Sequence, residues 1–231
     1  MSSQLKISLL SLNVRGLRNQ VKRRSIFSFL KDQNCDIFLL QETFSELKDD
    51  SNRYGRVSGE VLFFSHGSTH SKGVAILINP LRTLNVETTG KDLDGRIVSV
   101  DLIYSSGRIS ICNVHAPNDC QQQQKFLLNL NRYLISNTEI SNLIVGGDWN
   151  VTQQAMDKKG GVPWRSSLYR DKLAVIMGDI GLIDVFRKLK PNERSFLYES
   201  KSLKVRSRIE FYLVSKSITN WVVKANIKVS T

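Results

Sequence analysis

Cysteine and histidine are scarce in this chain, three of each among 231 residues. Cys35, Cys112 and Cys120 are an odd number, and no two are spaced as Cys-x-x-Cys. That argues against a disulfide framework and a cysteine zinc site, and makes a reducing compartment the default. Long apolar runs are also missing. No segment is apolar for long enough to cross a bilayer, and Met1-Ser2-Ser3-Gln4 leads into a short alternating stretch without the apolar core of a secretory signal. No repeat, low-complexity tract or linker interrupts the chain, so a single domain over residues 1–231 is expected. Acidic residues are the other deficit, 21 Asp and Glu against 33 Lys and Arg, for a formal net charge of +12. The surplus is spread over small clusters: Lys22-Arg23-Arg24, Lys158-Lys159, Arg187-Lys188 and Lys204 to Arg208. A surplus of this size points to a polyanionic partner such as nucleic acid, or to an anionic membrane surface.

What is present is a substantial apolar fraction, 41%, with ten Phe and three Trp, enough for a sizeable core. Apolar patterning predicts strands at 5–12, 36–40, 61–64, 74–78, 97–103 and 109–114, and another from 143 to the glycine pair 146–147. Helices are predicted at 20–33, 121–136 and 166–178, and further strands at 182–186, 195–198, 208–214 and 221–229. Residues 44–60 and 152–165 read as irregular. Helices that interrupt runs of hairpin-connected strands imply an α/β layered sandwich with antiparallel pairing.

Four of these strands end alike, in an apolar run followed by a polar residue: Asn13, Glu42, His115 and Asp148, with Asn150 two further on. In extended backbone Asp148 and Asn150 point to the same side; the alternative is a strand followed by an Asx turn. Strands ending together at one edge of a sandwich would gather all five around one cleft. As a set they suit metal-assisted hydrolysis of a phosphoester. Glu42 supplies a hard oxygen and Asn13 an amide, a donor pair suited to Mg²⁺ or Mn²⁺ completed by water and phosphate oxygens. Asp148 can hold and deprotonate the attacking water, and Asn150 can donate to a phosphoryl oxygen as charge builds on it. His115, with an ordinary pKa of ~6.5, can donate to the phosphate or assist the leaving group.

Six motifs in order carry a resemblance. They are Ser11-Leu12-Asn13-Val14-Arg15-Gly16-Leu17, Leu39-Leu40-Gln41-Glu42-Thr43, Gly73-Val74-Ala75-Ile76-Leu77, Asn113-Val114-His115-Ala116-Pro117-Asn118, Gly147-Asp148-Trp149-Asn150 and Ser207-Arg208-Ile209-Glu210-Phe211. Together they resemble the endonuclease/exonuclease/phosphatase superfamily of DNase I-like fold. They are closest to the apurinic-type endonuclease domain of non-LTR (LINE-type) retrotransposons. The resemblance implies a four-layer α/β sandwich, two packed mixed sheets flanked by helices. It implies metal ligation by Asn13 and Glu42, catalysis by His115, Asp148, Asn150 and Glu210, and a divalent cation, Mg²⁺ or Mn²⁺. The implied reaction is nicking of DNA to leave a 3′ hydroxyl. The implied protein is a monomer followed by a reverse transcriptase domain, intracellular, working in the nucleus without membrane association.

Two departures stand out. Glu210 occupies a position where the family carries Asp; its extra methylene either displaces a carboxylate that orients substrate or is a tolerated exchange of acids. The family also closes its site with a late Asp-His pair, and here the sequence reads Val229-Ser230-Thr231 where that loop should begin. The expectation is a domain whose C-terminal edge is incomplete, with activity in question. The alternatives are a non-catalytic nucleic-acid-binding remnant and a phosphatase or phospholipase of the same fold.

Further DNA contacts are candidates at Arg15, Lys22, Arg23, Trp164, Arg165 and Ser195. Lys22 and Arg23 can contact the DNA backbone or form a solvated helix face. Trp164 and Arg165 can stack on a base and brace a phosphate, or Trp164 can anchor its loop. Ser195 loosely matches a family position that donates to phosphate. His66 and His70 lie in a Ser/Gly/Thr loop without a nearby carboxylate, a poor zinc site.

Overall fold

Ile37-Phe38-Leu39-Leu40 is an unbroken apolar run, which suits a strand covered on both faces. The structure is a computed structural model that describes residues 6–46, 54, 61–68, 70–79, 85–105, 107–165, 167–200 and 204–227. In it, every residue of β2 (Ile37–Gln41) is buried, and so is every residue of β4 (Val74–Ile78). The chain divides into two compact units, Met1–Arg108 with Cys112–His115, and Ile109–Ile111 with Ala116–Thr231.

In the first unit a four-stranded sheet has the order β1 (Leu9–Asn13), β2, β4, β3 (Val61–Ser65). β1 runs parallel to β2, while β2, β4 and β3 pair antiparallel. A parallel pair needs a crossover, and α1 (Gln20–Asp32) supplies it. The Asn19 side chain caps this helix by accepting from Lys22 N at 3.0 Å, which satisfies an otherwise orphaned first-turn N–H. Its apolar stripe, Phe27 and Leu30, packs with Phe38, Leu40, Ala75 and Leu77 on one face of the sheet. The crossover brings the C-terminal ends of β1 and β2 side by side, Asn13 opposite Gln41. The same unit holds the antiparallel pair β5 (Asn85–Lys91) and β6 (Ile97–Tyr104), with β7 (Gly107–His115) beside β6.

β7 has residues in both units. In the second unit the strand order continues from β7 through β8 (Leu143–Asp148) and β13 (Glu210–Ser215) to β10 (Leu182–Asp184). β8 and β10 both pair antiparallel with β13. A small sheet is formed by β11 (Tyr198–Ser200), β12 (Val205–Ser207) and β9 (Lys158–Lys159). The helices of this unit each carry a side-chain cap: Asp119 on α2 (Cys120–Asn137), Ser167 on α3 (Leu168–Asp179) and Asp184 on α4 (Val185–Leu189).

Three expected strands are corrected, and one strand was not foreseen. Of the strand expected at 221–229, residues 221–227 do not form one: a 3₁₀ helix spans Lys216–Trp221 and irregular chain follows to residue 227, while residues 228 and 229 lie outside the described residues. Trp221 and Val223 stay exposed, so no packing surface rewards extended pairing there. The strand expected at 195–198 begins only at Tyr198. That expected at 182–186 stops at Asp184, whose side chain starts α4 instead. β5 was not anticipated, because Asn85-Val86-Glu87-Thr88-Thr89 lacks a strong apolar pattern. The irregular reading of 44–60 falls mostly outside the described residues. Among the described residues no helix is long and apolar enough to cross a membrane.

Candidate functional site

The chain segments leaving β1 and β2 continue side by side. Val14 N donates to Gln41 O at 2.9 Å, Gly16 N to Glu42 O at 2.6 Å and Leu17 N to Thr43 O at 3.0 Å. This double turn requires unusual backbone. Arg15, Glu42 and Phe44 have φ of 48°, 53° and 54°, a region that non-glycine residues seldom adopt. Gly16, at φ 96°, sits where an added Cβ would come within 2.7 Å of the Phe44 ring. Gly73, at φ 84°, faces the turn from the other side, and a Cβ there would collide with Thr43 Oγ1. Left-handed backbone of this kind concentrates at functional sites.

The turn joins Asn13 and Glu42. Asn13 Nδ2 donates to Glu42 Oε1 at 2.8 Å, and Arg15 N donates to Asn13 Oδ1 at 3.2 Å. The Glu42 side chain is 29% exposed, so the carboxylate retains access to solvent. A carboxylate beside an amide oxygen fits a hard divalent cation that keeps water and phosphate oxygens as its other ligands. Among the described residues no group of three or more His, Cys, Asp and Glu could hold a metal alone. Glu42 and Asn13 are the side chains of this turn that could hold such a cation.

Beneath this turn lies a buried amide pair. Gln41 Nε2 donates to Asn113 Oδ1 at 2.7 Å, and Asn113 Nδ2 donates to the Leu40 and Ala75 carbonyls, both at 2.8 Å. Asn113 thus pins the strand ends immediately before Glu42, although the sequence reading assigned it no role. Its only sequence signal is an amide in the inward register of an apolar strand. Thr43 and Ser45 are joined at 2.9 Å, and His66 Nδ1 lies 3.1 Å from Ser45 Oγ, so His66 braces this turn.

His115 ends β7 and is buried, with Nε2 3.8 Å from Glu42 Oε1. Burial, and then the Arg96 guanidinium, push its pKa down to about 4. The ring is therefore neutral at physiological pH, and its approach to Glu42 is not an ion pair there. This corrects the expectation of an ordinary histidine. A neutral imidazole has one N–H and one acceptor, which suits hydrogen bonding to a phosphoryl oxygen rather than delivery of a proton from an imidazolium. Nδ1 is buried without a hydrogen-bond partner among the described residues. His115 N donates to Arg96 O at 2.9 Å, and Arg96 Nη1 returns a bond to His115 O at 3.0 Å.

The second unit carries the other cluster. Asp148, the last residue of β8, is buried and lies opposite Glu210 in the β8–β13 register. Asn150 adopts φ 50°, so it is not in extended backbone, and its N–H donates to Asp148 Oδ1 at 3.0 Å. The structure therefore holds the Asx-turn alternative, not the extended backbone that would put both side chains on one side. Asn150 Nδ2 donates to Ala116 O at 2.7 Å, and Ala116 N donates to Asp148 O at 2.8 Å. Between them Trp149 points inward, 1% exposed and stacked on Phe211 with ring centroids 5.2 Å apart. Its backbone N donates to Ile209 O at 2.9 Å and its indole Nε1 to Phe211 O at 3.1 Å.

The structure thus gathers Asn13, Glu42 and His115 in the first unit, and Asp148, Asn150 and Glu210 in the second. The peripheral candidates divide. Arg15 is exposed, and Lys22 Nζ donates to Arg15 O at 2.5 Å. Arg23 is buried, donating to Leu17 O at 2.8 Å and Arg18 O at 3.1 Å, and it lies over the Tyr54 ring. It is a brace for its own helix start, contrary to the expectation of a surface contact. Trp164 is partly exposed, with the Arg170 guanidinium 4.2 Å above its ring, and Arg165 is exposed. Ser195 Oγ donates to Glu193 Oε1 at 2.7 Å. Sequence reasoning also missed a buried charge cluster of Asp157, Asp184, Arg187 and Arg208, because runs of basic residues read as solvated surface.

A model of the endonuclease/exonuclease/phosphatase family matches residues 10–228 of the chain. The chain is similar to an uncharacterized 149 kDa protein of transposon TX1 from Xenopus laevis, 27% identical over 194 residues. That match covers 84% of this chain and only 15% of the length of the transposon protein. Among solved structures it is similar to the AP endonuclease LMAP from Leishmania major, with a TM-score of 0.75 at 18% identity, covering 93% of this chain and 80% of that one. It is also similar to the endonuclease domain of TRAS1, a telomere-specific non-LTR retrotransposon, with a TM-score of 0.68 at 16% identity over 93% of this chain and 88% of that one. At such identities the likeness shows the fold, a DNase I-like α/β sandwich of mixed sheets and helices.

Proposed function

This chain belongs to the endonuclease/exonuclease/phosphatase family, and we propose that it is a divalent-metal-dependent endonuclease that nicks DNA for a non-LTR retrotransposon. One observation carries the reading: Asn13 and Glu42, brought from two strand ends, are joined at 2.8 Å with the Glu42 carboxylate still accessible and a neutral His115 beside it. The net charge of +12 supports a polyanionic substrate. The similarity to a transposon protein and to a retrotransposon endonuclease domain supports DNA as that polyanion. We read the two units as parts of one catalytic domain, which the single family match across residues 10–228 supports.

Hydrolysis forms a bond from the water oxygen to phosphorus and breaks the bond from phosphorus to O3′, leaving a 5′ phosphate and a 3′ hydroxyl. Asp148 accepts the proton of the attacking water, and the departing O3′ takes a proton from solvent to become the hydroxyl. Asn150, with one amide hydrogen engaged by Ala116 O, offers the other to a phosphoryl oxygen. His115 donates one N–H to the phosphate. Mg²⁺ or Mn²⁺ held by Glu42 and Asn13 would supply Lewis-acid neutralisation of phosphate charge. Glu210 lies opposite Asp148 and helps to set its surroundings. The similarity to a transposon protein and to a retrotransposon endonuclease domain supports a reverse transcriptase as the partner activity that would extend this 3′ hydroxyl, with genomic DNA in the nucleus as the target.

A supercoiled plasmid tests the reading. Incubated with the chain and Mg²⁺, it should convert to the nicked circle, EDTA should stop the conversion, and a DNA polymerase should extend the nick without prior end repair. Hydrolysis of inositol phosphates without nicking would overturn the assignment to DNA, and nicks that a polymerase cannot extend would overturn the product.

A further inference from the structure

The Asp148-Trp149-Asn150 turn is seated on the start of β13. Trp149 N donates to Ile209 O, the indole Nε1 donates to Phe211 O, and the indole ring stacks on the Phe211 ring. All three contacts depend on where residues 209–211 lie. The residue before them, Arg208, is fully buried, and its guanidinium is held from two directions. Nε and Nη2 form a two-pronged grip on the Asp157 carboxylate at 2.7 and 3.0 Å, and Nη2 also donates to Asp184 Oδ2 at 2.6 Å. Arg208 N donates to Asp157 O at 2.8 Å. The guanidinium lies 5.3 Å from the centroids of both Phe186 and Phe211, the second being the ring that supports Trp149. Arg187 holds Asp157 from a further side. Asp184 is itself fixed as the cap of α4, accepting from Arg187 N at 3.2 Å.

Stability alone is a weak reason for such a cluster. Buried ion pairs cost much of their attraction in lost hydration, and apolar replacements often do as well. Arg208 Nη1 is moreover buried without a hydrogen-bond partner among the described residues. What the cluster does supply is geometry: a planar five-donor fork has few orientations that satisfy two carboxylates at once. We infer that Arg208 is a positioning residue, whose grip on Asp157 and Asp184 fixes the Ile209–Phe211 seat and thereby the placement of Asp148 and Asn150. This rests on the nuclease reading for its consequence in catalysis, though not for its consequence in structure.

The test uses Arg208→Lys, which keeps charge and stem but lacks the fork, with two readouts. The first is hydrogen exchange of the Trp149 indole N–H. It is recognisable by NMR because Trp149 is buried, whereas Trp164 and Trp221 are exposed. The second is plasmid nicking, resolved into kcat and KM at a temperature where the variant is folded. Exchange at Trp149 should quicken at least tenfold, and kcat should fall roughly 10- to 100-fold, as for other residues that support a site from behind, with KM for DNA within about twofold of the original because no DNA contact is removed. Unchanged exchange overturns the inference, whatever the rate does. Faster exchange with unchanged kcat overturns it too. If the original chain nicks no DNA under any divalent cation, the nuclease reading fails, and the exchange measurement still decides whether Arg208 holds the seat. Should Arg208→Lys not fold, Asp184→Asn carries the same measurements, since Asn preserves the α4 cap while removing one of the two charges that Arg208 grips.

Discussion

Asn13 and Glu42 stand 29 residues apart in sequence and share a 2.8 Å hydrogen bond from Nδ2 to Oε1. The bond exists because β1 and β2 are parallel and in register, and because both following turns accept left-handed backbone. One carboxylate oxygen is thereby oriented by the amide, and the accessible carboxylate can be offered to a cation.

Glu42→Gln separates the charge of that group from its shape. The amide oxygen can still accept from Asn13, so the turn should fold as before. Mg²⁺-supported nicking should fall about 100-fold, with part of the loss recovered as Mg²⁺ is raised. A titration of nicking rate against Mg²⁺ checks this; identical curves for the two proteins would remove Glu42 from metal binding.

His115 makes stability depend on pH. Burial holds its folded-state pKa down to about 4, below the ~6.5 of an exposed histidine. As pH falls, the unfolded chain takes up the proton first. The stability contributed by the neutral ring is therefore fully present above ~6.5, declines as the pH falls from there, and is exhausted below the folded-state value. The interval is worth roughly 3 kcal/mol. Urea unfolding in EDTA at pH 7 and pH 4.5, for the original chain and for His115→Gln, measures it. The original should lose about 2 kcal/mol more than the variant between the two pH values; equal losses would show that His115 titrates normally.

The sequence exposed much of this site because strand ends are legible. An apolar run that stops at Asn13, Gln41, His115 or Asp148 marks both the element and the side chain at its tip. The contacts that hold those tips were not legible. Asn113 looks like any polar residue near the end of a strand until its two carbonyl partners at Leu40 and Ala75 are known. Arg208 sits in a basic run, Lys204 to Arg208, that composition alone assigns to the surface; its burial is made tolerable by Asp157 and Asp184, 51 and 24 residues away. Apolar periodicity reports burial along one element, whereas charge pairing across elements leaves no periodic trace. The exposed apolar residues Trp221 and Val223 show the opposite failure, a strand-like pattern that found no sheet to join.

Asn150 combines a left-handed backbone with a donor to Ala116 O. Asn150→Gly keeps the backbone accessible and removes the amide. Its cost in stability should stay near 1 kcal/mol, the chain-entropy effect of glycine and one lost hydrogen bond. Nicking should fall about 100-fold, as when a donor to developing phosphate charge is removed. Urea unfolding and nicking on the same preparation check both numbers; a variant that nicks at the original rate would leave Asn150 as a turn residue only.

Lys22 and Arg23 are adjacent in a basic triplet, yet the fold gives them different work. Arg23 is 5% exposed and spends its guanidinium on the Leu17 and Arg18 carbonyls and the Tyr54 ring, which fixes the chain where it enters α1. Arg23→Ala leaves buried acceptors without their donor and should cost about 2–4 kcal/mol in urea unfolding. Because no phosphate contact is lost, the salt dependence of DNA binding should not change. Lys22 is exposed, and the bond from its ammonium to Arg15 O leaves other N–H donors for a phosphate. Lys22→Ala should leave stability within about 0.5 kcal/mol of the original and reduce the slope of log K against log salt by about 1. Fluorescence anisotropy with a labelled duplex over a salt series separates the two. A slope changed by Arg23→Ala and not by Lys22→Ala would reverse the assignment and place the DNA-facing charge on the residue that the fold has turned inward.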